Sequence, residues 1–306
     1  PESPGMIAYG ARGHCFRPMD YKRHPDTSFV KVPLVSLKRA IAVEEFWVGT
    51  SLQMWTVVRG KYNQGIVRDA QGRKMSKSLG NGVDLLVTID EYGADALRFM
   101  LITGNAPGSD IRFYPERVEA ARNFANKLWN ASRFVLMNLD DALVEKYKDS
   151  TNYSLADRWI LSKLHGLIQE VTENFEKFEL GIALAKVYDF IWNELCDWYI
   201  ELIKPVFYNG TEEEKGVSYG VIRQVLIASL KLLHPTMPFI TEEIYSFLND
   251  EETIMKAPWP VAEEHFIDES IEASMGSIIE AIRSIRNLRQ EMNVPNKRKT
   301  TLSIYA

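Results

Sequence analysis

Beyond about residue 115, apolar side chains recur at intervals of three and four residues, and this spacing limits the fold more than any other feature. In residues 117–138 the spacing is that of a single helix face. Side chains three or four residues apart lie on the same side of an α-helix, so each run must bury one stripe against a neighbour. Successive stripes that pack in this way form a helical bundle.

Capping residues and helix breakers divide this region into six predicted helices. Serine or threonine before an apolar run favours a helix start, and proline favours a stop. The predicted ranges are 117–138, 154–177 capped by Ser154, 180–204 ending before Pro205, 217–233, 241–248 capped by Thr241, and 269–292. Four tryptophans of these helices are expected to fill the core and not to form a stacking platform: Trp129, Trp159, Trp192 and Trp198.

The first third of the chain has a different pattern. Residues 1–45 are rich in glycine and proline, which predicts loops and short strands, and the apolar period of residues 39–58 leaves helix and strand open. The sequence next predicts a strand and turn at 65–72, a connector at 83–92, a helix at 95–101 and a break at 103–108. We therefore predict one domain at residues 1–106 and a helical bundle at residues 107–306.

A cationic loop flanked by glycines, residues 73–81, precedes this boundary and reads Arg-Lys-Met-Ser-Lys-Ser-Leu-Gly-Asn. Lys74 and Lys77 supply compact point charges, and the hydroxyls of Ser76 and Ser78 add hydrogen-bond donors, which together suit phosphate oxygens. If only the two lysines were present, an ordinary solvated turn would be a better explanation than a phosphate-binding loop. The complete string Lys-Met-Ser-Lys-Ser is far more specific than such a pair.

The charge is unevenly distributed along the chain. The net charge of −5 alone would disfavour a nucleic-acid partner, but residues 59–78 and 283–299 each carry +5, whereas residues 239–270 carry −8. Distribution matters more than the total for binding a polyanion. The two basic segments are therefore the predicted polyanion-binding parts, and the acidic segment is predicted to face away from phosphate.

Cysteine usage and hydropathy indicate the compartment. Cys15 and Cys196 are the only cysteines and lie far apart, which predicts neither a metal site nor a disulfide framework. His14 precedes Cys15 without a third partner nearby, so a structural or surface role is expected for this pair. No apolar run reaches the about 18 residues of a membrane span, and no signal-peptide order is present. We expect a cytoplasmic, monomeric protein that does not bind membranes.

Several motifs resemble one enzyme family. Residues 65–81, 90–99 and 103–108 resemble the valyl-tRNA synthetases, which are class I aminoacyl-tRNA synthetases, and residues 74–78 resemble their second ATP-binding motif, KMSKS. Residues 122–134 favour the valyl members over the isoleucyl and leucyl members, and residues 234–243 and 285–295 look like later segments of the same enzymes. The resemblance implies a mostly α chain, in which a remnant of an α/β Rossmann-like catalytic domain precedes the class Ia anticodon-binding helical bundle.

The resemblance also implies chemistry and partners. Members of the family activate valine with ATP, which Mg²⁺ accompanies, and transfer it to tRNA(Val). Lys74 and Lys77 would be catalytic, and the ATP-binding set would be Lys74, Met75, Ser76, Lys77 and Ser78. Contacts to the tRNA anticodon arm are expected from Arg122, Arg133, Arg283, Arg286 and Arg289. A solvated face partly paired with Glu280 and Glu291 remains the alternative for the last three, and no tightly bound cofactor or structural metal is expected.

Residues 1–64 match the family poorly. A His-Ile-Gly-His-like first ATP motif is missing, and residues 12–15 retain only one Gly-His pair. We therefore expect a fragment that is inactive by itself. Two functions stay open: part of a valine–tRNA ligase, or an isolated tRNA-binding or protein-interaction helical module without catalysis. An isoleucyl-type relative is a further alternative.

Overall fold

The computed structural model describes residues 66–104, 109–248, 253–295, 298–299 and 301, together with the backbone of residues 8–9 and 14–15. Strands β1 (Ala8–Tyr9) and β2 (His14–Cys15) pair antiparallel, with Ala8 opposite Cys15. Short strands were the expectation for this region. The sequence did not decide between helix and strand for residues 39–58, and these residues lie outside the described ones.

A small parallel sheet frames the cationic loop. Strands β3 (Val67–Arg68) and β4 (Ile111–Arg112) pair in parallel, with Val67 opposite Ile111. Two helices, α1 (Leu85–Tyr92) and α2 (Ala94–Ile102), lie between them in sequence. The predicted strand and turn and the helix after residue 94 are confirmed.

The predicted connector at residues 83–92 is wrong, because most of it forms α1. The Asp84 side chain accepts hydrogen bonds from the backbone nitrogens of Leu86 and Val87 and so caps the helix. The cap marks the start of a helix whose first three side chains, Leu85, Leu86 and Val87, are apolar but exposed.

The bundle follows β4. Its helices are α3 (Pro115–Asn138), α4 (Asp141–Lys146), α5 (Leu155–Glu176), α6 (Leu180–Asp189), α7 (Ile200–Asn209), α8 (Glu212–Leu233), α9 (Pro238–Leu248) and α10 (Glu269–Glu291). Ser154 caps α5, as predicted, and the structure adds a reciprocal hydrogen bond from its backbone to Asp157. Thr211 and Glu214 form the same arrangement at α8, which therefore begins five residues before the predicted start. The short helix α4 was not predicted.

The predicted helix end before Pro205 is wrong. A π-helical segment, Phe190–Tyr199, joins α6 to α7, and Pro205 lies inside α7. Proline removes one backbone donor, so the carbonyl of Glu201 loses its helical partner. Glu201 is exposed, so water can replace that donor.

Thr241 does not cap α9, contrary to the prediction. The helix begins three residues earlier, and Thr241 is buried within it. Its hydroxyl donates to the backbone oxygen of Met237 at 2.8 Å. A carboxylate from α2 fills the capping role, as described below.

One hydrophobic core runs from α2 to α10. Its largest fully buried side chains include Trp159, Tyr199, Tyr245 and Phe124. The core prediction holds for Trp159 and Trp198, Trp192 is half-buried, and Trp129 is 38% exposed, so the prediction is wrong for Trp129. The proposed domain boundary after residue 106 stays a prediction.

Helix α8 has the length and apolar composition of a membrane span, but 72% of its apolar window is buried against the rest of the protein. A buried core helix can have the length and hydropathy of a membrane span. Among the described helices, only α8 has both.

Candidate functional site

A tight turn forms the base of the cationic loop. The backbone nitrogen of Asp69 donates to Arg73 O at 3.0 Å, and that of Gly72 donates to Asp69 O at 2.9 Å. Gly72 has a φ of +81°, and a Cβ at this position would lie 3.3 Å from the Arg112 guanidinium. Glycine is therefore favoured here by conformation, and a Cβ would also require the end of the Arg112 side chain to shift slightly.

The side-chain amide of Asn81 closes the loop. Its nitrogen donates to Asp69 Oδ2 at 2.9 Å and to Lys74 O at 3.3 Å. Its oxygen accepts from the backbone nitrogen of Ser76 at 2.9 Å. Asn81, the last residue of the motif, thereby connects Asp69 at the start of the turn with Lys74 and Ser76 in the first half of the loop.

Asp69 is the buried acceptor at the centre of these contacts. Its exposed fraction is 7%, and it also accepts from Arg73 N and Nε, both at 2.7 Å. Hydrogen bonds from Asn81 and Arg73 together with the Arg73 charge outweigh burial and lower the pKa of Asp69 to about 2. The carboxylate is therefore ionised at neutral pH.

The middle of the loop presents polar groups to solvent. Ser76 Oγ accepts from Leu79 N at 3.3 Å and lies 3.1 Å from Ser78 Oγ, which holds a single 3-10 turn at Lys77–Leu79. The Lys74 side chain is exposed, whereas Met75 is half-buried and packs against the core. The predicted role of the Lys77 side chain lies outside the described part of the structure.

A cavity of about 410 Å³ lies behind the loop. Met75, Tyr92 and Phe113 form part of its wall, and its charged lining residues are the carboxylates of Asp69 and Glu91. No cation belongs to the described lining, so this cavity does not suit phosphate. The Lys74 side chain lies on the other, exposed side of the loop.

Two charged residues of α2 hold the turn between α8 and α9. Asp95 accepts from Ile240 N at 2.7 Å and from Phe239 N at 3.3 Å. Arg98 Nε donates to Thr236 O at 2.9 Å, and its terminal nitrogen donates to Pro235 O at 3.1 Å. Side chains of α2 thus fix the helix pair that follows the loop to the turn between α8 and α9.

Arg283 and Arg286 contact an aromatic ring. Their guanidinium carbons lie 5.4 and 5.5 Å from the centre of the Trp198 ring, which is buried. Neither forms an ion pair with Glu280 or Glu291 in the described part of the chain. Both arginines are exposed on α10 and combine a packing contact with a solvent-facing charge.

The other three predicted contact residues have different surroundings. Arg289 donates to Pro295 O and Arg298 O, both at 2.9 Å, so it holds the segment after α10. Arg122 is half-buried over the Tyr92 ring at 5.4 Å, which places it between α1 and α3. Arg133 is exposed on α3. The structure therefore does not gather the five arginines into one cluster.

Sequence reasoning assigned no role to Asp69, Asn81, Asp95 or Arg98. Asp95 and Arg98 carried one usable signal, because they are charged positions in an otherwise apolar helix. In the described part of the chain, no three histidine, cysteine, aspartate or glutamate side chains converge to hold a metal ion.

Comparisons with known proteins give consistent results. A family model described as tRNA synthetases class I (I, L, M and V) matches residues 21–114. A second model, described as the anticodon-binding domain of tRNA ligase, matches residues 157–305. The first spans the loop, and the second spans most of the bundle.

Individual relatives agree with these matches. A valine–tRNA ligase of Clostridium perfringens is 67% identical over 243 residues, which are 79% of this chain and 28% of that protein. A valine–tRNA ligase of Clostridium acetobutylicum is 64% identical over 245 residues, 80% of this chain and 28% of that protein. This chain therefore spans about 28% of the length of these curated relatives.

A solved structure is also similar. It is the ternary complex of Agrobacterium radiobacter K84 agnB2 LeuRS with tRNA and LeuAMS, aligned with a TM-score of 0.50 and 26% identity. The alignment covers 68% of this chain and 24% of that chain.

Proposed function

This chain belongs to the class I tRNA synthetases as a homologue of valine–tRNA ligases, and on that premise we propose that it supplies two parts of such a ligase. The first is an ATP-contacting loop at residues 74–78, and the second is a helical bundle that binds the anticodon arm of tRNA(Val). The observation that carries the proposal is the 67% identity over 243 residues.

In the proposed activation step, a carboxylate oxygen of valine attacks the α-phosphorus of ATP. The bond from that phosphorus to the bridging oxygen breaks, and pyrophosphate leaves with the bonding electrons. Negative charge therefore grows on the departing oxygens, and cations placed beside them stabilise the transition state more than the bound substrate. Lys74 and Lys77 are assigned this role, with Ser76 and Ser78 as donors.

The loop's contacts support this assignment for Lys74. Met75 packs into the core and Asn81 holds the backbone oxygen of Lys74, while the Lys74 side chain stays exposed. Because the backbone at this point is held before ATP binds, binding costs less backbone conformational entropy. Mg²⁺ is treated as part of the ATP substrate, and no described carboxylate cluster is assigned to hold it.

Binding of tRNA is assigned to arginines of the bundle. Arg283 and Arg286 on α10 and Arg133 on α3 are exposed and suit phosphate contacts. Arg122 and Arg289 remain in the proposed set, although each also holds neighbouring backbone or aromatic groups. We also propose that the enzyme is cytoplasmic and monomeric.

A segment exchange tests the ATP role. The stretch of the C. perfringens valine–tRNA ligase that aligns with this chain is replaced by the aligned residues of this chain, and valine-dependent ATP–pyrophosphate exchange is measured. We expect exchange in the chimera and a fall of about 10- to 100-fold in Lys77→Ala, because a charge-assisted hydrogen bond contributes about 1.5–3 kcal/mol.

Lys148→Ala is the matched control, since Lys148 is exposed on the bundle and outside the loop. Exchange that is equal in Lys74→Ala, Lys77→Ala and the control would refute the phosphate role. An inactive chimera that still binds tRNA(Val) would favour the alternative of a binding module without catalysis.

A further inference from the structure

Both polar atoms of the Asn81 side chain form hydrogen bonds that close the cationic loop. The amide nitrogen donates to Asp69 Oδ2 and Lys74 O, and the oxygen accepts from Ser76 N. The opposite amide orientation would turn the oxygen toward the Asp69 carboxylate and the nitrogen toward a backbone donor. The three contacts therefore define a single orientation.

Asp69 gives this arrangement a rigid base. It is buried and ionised, and Arg73 binds both of its oxygens through the backbone and side chain. Hydrogen bonds to an ionised group are stronger than neutral ones. We name the set formed by Asp69, Asn81, Lys74 O and Ser76 N the clasp.

The clasp holds the backbone that follows the first proposed cation. Lys74 O and Ser76 N, which flank Met75, are both fixed by Asn81, so the backbone on the C-terminal side of Lys74 is restrained while the Lys74 side chain remains exposed. Met75 adds an apolar anchor between them. Residues 77–80 carry no contact to Asn81 among those described, which leaves the second half of the loop less restrained.

We infer that Asp69 and Asn81 are positioning residues that set the loop for binding a phosphate chain, acting through the backbone of Lys74 and Ser76. The inference rests on the proposed function, because it assumes that Lys74 meets phosphate. In this inference, Asn81 at the end of the motif holds the loop, and the residues before it bind the phosphate chain.

Nuclear magnetic resonance on the full 306-residue chain tests both steps. Exchange of the Ser76 amide hydrogen reports the clasp directly, because Asn81 is its acceptor. The Arg73 amide, which donates to Asp69, is an internal control that Asn81→Ala leaves intact. Titration with tripolyphosphate, which carries a phosphate chain without a nucleoside, measures binding through the loop amides.

Four variants distinguish a positioning role of Asp69 and Asn81 from a general effect on the fold. We expect Asn81→Ala to raise Ser76 exchange about fivefold and to weaken tripolyphosphate binding about fivefold, as the loss of a net hydrogen bond predicts. Asn81→Asp sets two carboxylates against each other and should have at least the same effect. Asn81→Asp combined with Asp69→Asn re-forms the contact between positions 69 and 81 but leaves Lys74 O without its donor, so it should recover part of the Ser76 protection and tripolyphosphate affinity that Asn81→Asp loses. Gln71→Ala, outside the clasp, is the control and should change neither.

Each contrary result has a distinct meaning. Unchanged Ser76 exchange in Asn81→Ala, or a double variant no better than Asn81→Asp, would overturn the clasp. Faster exchange with unchanged tripolyphosphate affinity and melting temperature would overturn the positioning role. Equal tripolyphosphate binding by the unaltered chain and Lys74→Ala would refute the proposed phosphate role and the inference with it, in a measurement separate from Ser76 exchange.

Discussion

Asp95 accepts a 2.7 Å hydrogen bond from the backbone nitrogen of Ile240, a residue 145 positions later. The contact caps α9 from outside the helix and joins it to the helix pair that follows the cationic loop. Arg98, one turn further along α2, holds the adjoining turn through Thr236 O. Movement of the loop segment relative to the bundle would require these buried contacts to break.

Replacing Asp95 tests this connection. Asp95→Ala leaves two backbone donors without an acceptor and should lower the free energy of unfolding by about 1–3 kcal/mol. Asp95→Asn should cost less, since its oxygen can accept from Ile240 and burial already raises the pKa of Asp95 by disfavouring the charged form. Urea unfolding at pH 7 measures both, and a larger loss in Asp95→Asn than in Asp95→Ala would contradict the capping role.

His234 should make stability depend on pH. Burial, with a contribution from the Arg98 charge, lowers the pKa of His234 from 6.5 to about 4, although Glu242 opposes the shift. The unfolded chain therefore takes up the proton first, and stability falls as the pH drops from about 6.5 to about 4. At 1.4 kcal/mol per unit, the loss approaches about 3 kcal/mol.

His234→Gln should flatten this part of the stability curve, measured by urea unfolding at several pH values. His265→Gln is the control, because His265 is exposed. A curve for His234→Gln with the slope of the unaltered chain would show that His234 does not cause the dependence.

Asp157 ties three helical segments together. Its buried carboxylate accepts from Tyr199 Oη at 2.6 Å, Ser218 Oγ at 3.2 Å and Ser154 N at 3.0 Å. Asp157→Ala should lower the free energy of unfolding by about 3 kcal/mol or more, because buried donors lose a charged acceptor. Tyr199→Phe should cost about 1.5–3 kcal/mol. Additive losses in the double variant would argue against a direct interaction.

Arginine substitutions test the proposed tRNA surface. Arg133→Ala and Arg283→Ala should each weaken tRNA(Val) binding and reduce the salt dependence by about one phosphate contact. Arg158→Ala is the matched control, since Arg158 is exposed and pairs with Asp268. Gel-shift titrations at two salt concentrations measure the slope, and equal slopes for all three variants would remove Arg133 and Arg283 from the interface.

Much of the bundle could be predicted because its signals are local. Apolar spacing and the Ser154 cap identify α5 from neighbouring residues alone. Pro205 and Thr241 misled the prediction because tertiary packing continued one helix through a proline and capped another from α2. The three- and four-residue spacing of residues 117–138 also gave no warning that Trp129 would be exposed.

The site was predictable to a smaller extent. Composition and motif indicated a phosphate-binding loop, but the partners that shape it are separated in sequence. Asn81 meets Asp69 across 12 residues, and no periodic pattern relates two such positions. Which polar residue holds a loop therefore became evident only from the distances.

The central claim is that this chain carries the tRNA-binding bundle of a valine–tRNA ligase. The most direct measurement is a gel-shift titration of the unaltered 306-residue chain with tRNA(Val) and with the same tRNA bearing a substituted anticodon, at two salt concentrations. The account predicts tighter binding to the unaltered tRNA and weaker binding at higher salt. Equal affinity for both tRNAs, or affinity that does not change with salt, would contradict it.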